Sequence, residues 1–307
     1  MSTAPTTEQN PHTAGYRLRV LASFFAIYIL WGTTFLGIRV AVEEMPPVFA
    51  AFARFFTAGV ILFLFMRAKG EPMPAQVEWR NLFVLGLLMF TAEYAALFWA
   101  EKYVPSGIAA VLAATIPIFT FLAEIVVLRQ QRWSAAIAAA TMIGFGGVAA
   151  LMLPASGLGI PAAVPLWPAV AILAGSSTWA VGGVLSRSMK LPTSRTMTSA
   201  CTMMLGGAML LGVSAVCGEL NPLPHISLRG LTAIVYLIVV GSLLAFTAYV
   251  WLLGHMPATR VASYAYVNPI VAVVLGYFLA GEAITIRTVA GAVLVLVAVF
   301  VIMRAKK

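Results

Sequence analysis

The second half of this chain repeats the first at a fixed offset, and each half carries five apolar spans. A shift of 152 lays Pro105 on Pro257, Pro117 on Pro269 and Trp99 on Trp251. A shift of 148 lays Trp31 on Trp179 and Arg39 on Arg187. An odd number of spans per repeat turns the second copy upside down in the bilayer. Inverted repeats are how many secondary transporters build two alternating gates around one central site. Transport is therefore the leading expectation before any single side chain is considered.

Composition agrees with that reading. Hydrophobic residues make up 62% of the 307 and charged residues only 9%, against roughly 25% charged in soluble domains. No sizeable water-soluble domain is expected. The net charge of +9 raises the question of nucleic acid, but the basic residues punctuate the ends of apolar runs and form no stripe on a soluble face. The expected partners are a small-molecule substrate and the lipid bilayer, with no nucleic acid, in a monomer or homodimer. The histidines and cysteines fall in no metal-ligand or disulfide pattern, and no cofactor or metal is expected. Cys201 and Cys217 lie about 24 Å apart along one expected helix, too far to bridge.

Apolar stretches of about 20 residues predict helices over 20–42, 47–66, 81–101, 105–128 and 133–153, then 166–187, 195–217, 229–253, 258–280 and 284–303. The fold class is all-α and integral to the membrane, with ten spans in two inverted five-helix repeats. One set of loops holds Arg17, Arg19, Arg67, Lys69, Arg80, Arg129, Arg132, Arg187, Lys190, Arg195, Arg260, Arg304, Lys306 and Lys307. The positive-inside rule then puts both termini in the cytoplasm, which an even number of spans requires. Residues 1–16 read as a disordered polar tail without a signal peptide, and 17–153 as the first repeat. A Pro/Gly/Ala-rich outer connection over 154–165 leads to the second repeat at 166–303 and a basic tail at 304–307.

Several motifs carry a resemblance. They are Trp31-Gly32-Thr33-Thr34, the run Pro47 to Arg54, Thr115-Ile116-Pro117, Asn268-Pro269, and Gly281-Glu282-Ala283-Ile284-Thr285. In order and spacing the chain resembles the drug/metabolite transporter superfamily, specifically its ten-helix EamA-type exporters. Within that superfamily it looks most like the YddG-type exporters of aromatic amino acids. The resemblance covers residues 18–303 and implies export of small metabolites across a bacterial inner membrane. Where the family has Gly-Glu before its fifth span, this chain has Arg129-Gln130, which argues against an essential coupling acid there.

A carrier of partly apolar zwitterions needs a wet cavity with few fixed charges, aromatic walls, and hydroxyl or amide groups that orient the ligand ends. The candidate substrate residues are Trp31, Thr34, Arg54, Glu93, Tyr94, Trp179, Phe246, Tyr264 and Asn268. Intramembrane charges are expensive, so Arg54 suggests carboxylate recognition and Glu93 proton coupling or amine recognition. The competing readings are snorkelling for Arg54 and a hydrogen-bonded core acid for Glu93. Glu124 reads as a boundary ion pair near Arg129. Pro117 and Pro269 are expected to interrupt their helices symmetrically, while Arg39 and Arg187 read as boundary anchors or paired gating elements. Gly144, Gly146 and Gly147 suggest close helix contact, within the scaffold or in a dimer.

Other classes lack their signatures. There is no His/Asp dyad, metal cluster or nucleophile elbow for a membrane enzyme, no ring of like charges for a channel, and no Gly-rich phosphate loop for a pump. A multidrug or amine exporter of the same fold stays open as the alternative cargo.

Overall fold

The computed structural model describes residues 14–128, 135–152, 165–222, 224, 226–256 and 258–305. The tail as far as Thr13, the Arg129-Gln130 junction, Pro257 and most of the 154–165 connection lie outside them. The described residues form helices and turns, with no strand among them. Among the described residues, seven helices are long and apolar enough to cross a membrane: α1 (Ala14–Glu44), α2 (Pro47–Ala68), α3 (Gln76–Glu101), α4 (Ser106–Val127), α6 (Leu166–Leu185), α7 (Arg195–Val216) and α8 (Leu228–His255). Three more, α5 (Ala135–Met152), α9 (Tyr264–Ala280) and α10 (Ile286–Ala305), are apolar but carry shorter qualifying stretches. α1 begins inside the segment expected to be tail.

Packing joins the halves directly. α2 lies against α7, α4 against α9 and α5 against α10, while α3 packs on α6 and α8 on α1. The contacts are backbone-close because small residues line them. A Cβ at Gly59 would strike the backbone of Met204, and one at Gly207 the backbone of Phe56. Because 59 meets 204 and 56 meets 207, α2 and α7 run antiparallel. Gly144 and Gly147 face Ala298 and Leu294 of α10, so this smooth stretch is used within the chain, while Gly146 faces open space.

Among the described residues, π-helical geometry enters four spans. π-helical turns occupy Ala26–Leu30 in α1, Gly86–Ala92 in α3, Glu124–Leu128 at the end of α4 and Leu237–Leu244 in α8. Such turns are rare and gather at functional positions. The 152-residue offset carries the α3 turn onto the α8 turn, so the sequence repeat reappears as backbone geometry. α4 breaks between its segments Ser106–Ala113 and Ile116–Ala123, with Pro117 in the first turn of the second. There the missing N–H costs no helical bond.

Pro269 corrects the expectation of symmetry. It lies inside the unbroken helix α9; the break in the expected 258–280 span comes before α9, between a short helical turn at Ala258–Val261 and Tyr264. Proline's φ suits a helix, so a single lost bond leaves the helix intact when its neighbours pack against it.

Candidate functional site: an aromatic cavity around Glu93

The π turn of α3 ends at Ala92, and the next two residues are Glu93 and Tyr94. An extra residue in the turn rotates the remainder of the helix, and here both side chains border a cavity of about 80 Å³ between the two halves. α1 contributes Trp31, Thr34, Phe35 and Ile38, and α3 adds Leu97. Ala113 and Ile116 flank the α4 break; Trp179 comes from α6, and Tyr264 and Asn268 from α9. The space suits a few water molecules, so a metabolite requires these walls to part.

The walls are a network of tilted and edge-to-face aromatic contacts. Trp31 meets Tyr264 at 5.0 Å and Tyr249 at 5.2 Å between ring centroids. Tyr94 meets Trp179 at 6.0 Å with the rings at 84°. Such geometry presents ring faces to whatever enters and keeps the rings from turning.

Glu93 is buried, and its Oε2 has no hydrogen-bond partner among the described residues. Among the described residues none of the ion pairs involves it. Its closeness to α6 depends on Gly175, where a Cβ would stand 2.8 Å from that oxygen. The cavity therefore combines a carboxyl group with ring faces. Thr34 donates its hydroxyl to the Trp31 carbonyl at 2.6 Å, which leaves the oxygen's lone pairs available as acceptors.

Most sequence-predicted substrate residues come together here: Trp31, Thr34, Glu93, Tyr94, Trp179, Tyr264 and Asn268 all line the cavity. Asn268 is also a structural tie. Oriented with its amide nitrogen toward α1, it donates to the carbonyls of Ile27 and Tyr28 at 2.9 Å each. Both lie in the α1 π turn, where widened geometry frees carbonyls from the helical ladder.

Arg54 and Phe246 do not line the cavity. Arg54, which the sequence places near an interface, is 2% exposed, because α2 is wedged against α3, α7 and α8. Its Nε donates to Ser242 Oγ at 3.1 Å, and its guanidinium lies over the rings of Phe55 at 4.6 Å and Tyr94 at 5.6 Å. Arg54 thus stands behind Tyr94 and fixes that ring. Phe246 backs Trp31 edge-on at 6.0 Å.

The boundary residues sit at opposite ends of the bundle. Arg39 pairs with Glu43 at 2.8 Å and donates to the Glu101 carbonyl at 2.6 Å, tying α1 to α3. Arg187 pairs with Glu124 at 2.7 Å, tying α6 to α4. Glu124 thus pairs with a residue of the other half, and Arg129 lies outside the described residues.

Sequence reasoning missed the lining residues Ile38, Leu97, Ala113 and Ile116, which read as ordinary apolar packing, and the buried Glu101 at the end of α3. A second cavity, of about 460 Å³, opens at the Arg39 end between Glu43, Glu44, Pro46, Lys102 and Glu219.

The EamA-like transporter family matches this chain twice, over residues 18–153 and 166–304. The chain is 37% identical over 273 residues to an uncharacterized inner membrane transporter, YedA, of Escherichia coli K12, covering 87% of this chain and 85% of that protein. It is 30% identical over 287 residues to Protein PecM of Dickeya dadantii, covering 91% of each. It is 26% identical to an uncharacterized transporter of Archaeoglobus fulgidus, over 89% of this chain and 93% of that one. A solved crystal structure superposes with a TM-score of 0.63 at 19% identity, covering 94% of this chain and 99% of that one, which establishes a shared fold. With its apolar helices and a family match across both halves, this multi-pass membrane protein belongs to the EamA-like transporter family.

Proposed function

We propose that the protein is a secondary transporter of the bacterial inner membrane that exports small metabolites, amino acids including aromatic ones, by alternating access through the Glu93 cavity. The observation that carries this reading is the cavity itself: a carboxyl group without a cation partner among the described residues, set among tilted and edge-on aromatic rings at the seam between two matching halves. The aromatic faces suit an apolar side chain or ring, and Glu93 suits the substrate's amino group. Arg54 sets the Tyr94 wall from behind. This reading takes ten spans with both termini cytoplasmic, an orientation that the Lys/Arg distribution supports. The antiparallel crossing of α2 with α7, and the matching π turns of α3 and α8, support an inverted relation of the halves.

The same carboxyl group and rings favour a second cargo, organic amines, since cations bind aromatic faces when desolvated. Proton antiport at Glu93 and facilitated diffusion are separated by one substitution. Glu93→Gln abolishes the response to a pH gradient while exchange persists, if Glu93 carries the proton.

The test is uptake of radiolabelled amino acids and amines into proteoliposomes holding the purified protein, with and without an imposed pH gradient. Saturable flux of Phe, Tyr or Trp, lost in Trp179→Ala, is expected. Flux of amines alone transfers the assignment to the second cargo, and no flux of either from folded protein removes both.

A further inference from the structure

Three helices here end in the same way. Gly70, Gly218 and Gly281 close α2, α7 and α9 in the left-handed conformation, with φ of 84°, 77° and 65°. Each is followed by glutamate: Glu71, Glu219 and Glu282. The left-handed glycine turns the chain back across the helix end, and the glutamate N–H bonds to a carbonyl of the last turn in all three. The offset of 148 lays Glu71 on Glu219, and the offset of 152 lays Gln130 on Glu282.

The carboxylates then behave differently at the two ends of the bundle. Glu282 accepts the N–H groups of Ser106 and Gly107 at 2.7 and 3.1 Å, the first of α4. Glu219 accepts those of Val48 and Phe49 at 3.2 and 2.8 Å, the first of α2, and also the Ser214 hydroxyl at 2.8 Å. Each acid thus caps the repeat mate of the helix that carries it. The reason lies in the caps: α2 and α4 start after Pro46 and Pro105, which offer no side-chain acceptor. At the opposite end α7 caps itself, with Ser194 Oγ accepting from Met197 N–H at 3.3 Å, so α7 takes no cap from Glu71.

We infer that Glu219 and Glu282 are latches of the outer gate, each holding two repeat-mate helices together at that end. Their release is the step that opens the outer side. Parting the outer ends uncaps α2 and α4 and strands four N–H donors in the field of two helix dipoles. Parting α7 from α2 at the inner end strands none, because Ser194 moves with its own helix. In the α2–α7 and α4–α9 pairs the caps therefore favour a closed outer side, where Arg229 of α8 also ties to Glu43 and Glu44 of α1, while Arg187 ties to Glu124 at the inner end. The inference rests on the proposed two-gate transporter, and on its assignment of this end to the outer face.

The experiment is spin-label distance measurement on the full chain in lipid nanodiscs, in a background with Cys217→Ser. Labels at Tyr103 and Leu279 report the outer end of the α4–α9 pair, and labels at Lys69 and Arg195 report the inner end of α2–α7. Glu282→Ala removes the latch. Ser106→Pro removes one of its donors while leaving the acid, at a first helical position where proline is well tolerated. Each is expected to raise the long-distance outer population roughly tenfold over the parent, as loss of charge-assisted bonds predicts, while the inner distance shortens. Outer distances unchanged from the parent in either folded variant overturn the latch. Outer opening with no inner response keeps the latch and overturns the two-gate reading.

Discussion

Gly175 gives the sharpest check on the Glu93 site, because replacing it adds one methyl group against known atoms. A Cβ there would stand 2.8 Å from Glu93 Oε2, 3.1 Å from its carbonyl oxygen and 3.2 Å from its Cα. Comfortable contact needs roughly 3.5 Å, so the carboxyl must retreat by about 0.7 Å and the α3 backbone by about 0.3 Å. The carboxyl moves by rotation, while the backbone shift strains the α3–α6 contact by about 1–3 kcal/mol. Helix propensity returns about 1 kcal/mol for Gly→Ala, so Gly175→Ala is expected to melt within a few degrees of the parent. The functional cost is larger. A displaced carboxyl loses a charge-assisted bond to the substrate amine, about 1.5–3 kcal/mol, or roughly tenfold to a hundredfold in apparent affinity. Gly183→Ala on the same helix is the control, since a Cβ there meets nothing within 4 Å; it gains the propensity and leaves transport alone. Thermal melts in detergent and concentration-dependent uptake into proteoliposomes measure both quantities. Equal substrate affinities for the two variants would refute the role given to Glu93.

Arg54→Met is expected to melt close to the parent, because a buried cation exchanged for an apolar side chain of similar volume avoids desolvation. Arg54→Ala, which leaves a void beside Phe55 and Tyr94, loses about 2–4 kcal/mol, and equal melting of the two rules out this account. Asn268→Leu removes both donors to the Ile27 and Tyr28 carbonyls and should cost about 1–3 kcal/mol, read as a lower melting temperature; an unchanged melt means the π turn of α1 holds without it. Arg187→Gln takes the guanidinium from Glu124, whose side chain is 5% exposed against 53% for the arginine, so it is expected to cost about 1–3 kcal/mol, read as a lower melting temperature. An unchanged melt contradicts it.

The candidate cavity is largely legible in the sequence, for a definable reason. Trp31, Glu93, Trp179 and Tyr264 are bulky or charged groups in the middle of apolar spans, where each stands out against its neighbours. Ile38, Leu97 and Ala113 line the same space and carry no such signal, because an apolar side chain looks alike whether it faces lipid, helix or cavity. Arg54 shows the converse. Its type marks it as important, but its direction depends on how α2 sits between α3, α7 and α8. Pro269 misleads because proline permits a kink without requiring one, and the packing around α9 keeps that helix straight enough to continue.

Local pattern by itself determined that this chain is helical, spans a membrane several times and repeats itself, since hydrophobic runs and residue offsets are properties of neighbouring positions. Gly70-Glu71, Gly218-Glu219 and Gly281-Glu282 also stand in it as three like pairs. Only the tertiary structure decided that two of those acids reach across to cap a repeat mate while the third does not. That outcome turns on whether the facing helix begins with a proline or a serine, and on contacts between residues as far apart as Val48 and Glu219 or Ser106 and Glu282. Sequence patterns name the groups; the distance between segments so remote in the chain is set by packing alone.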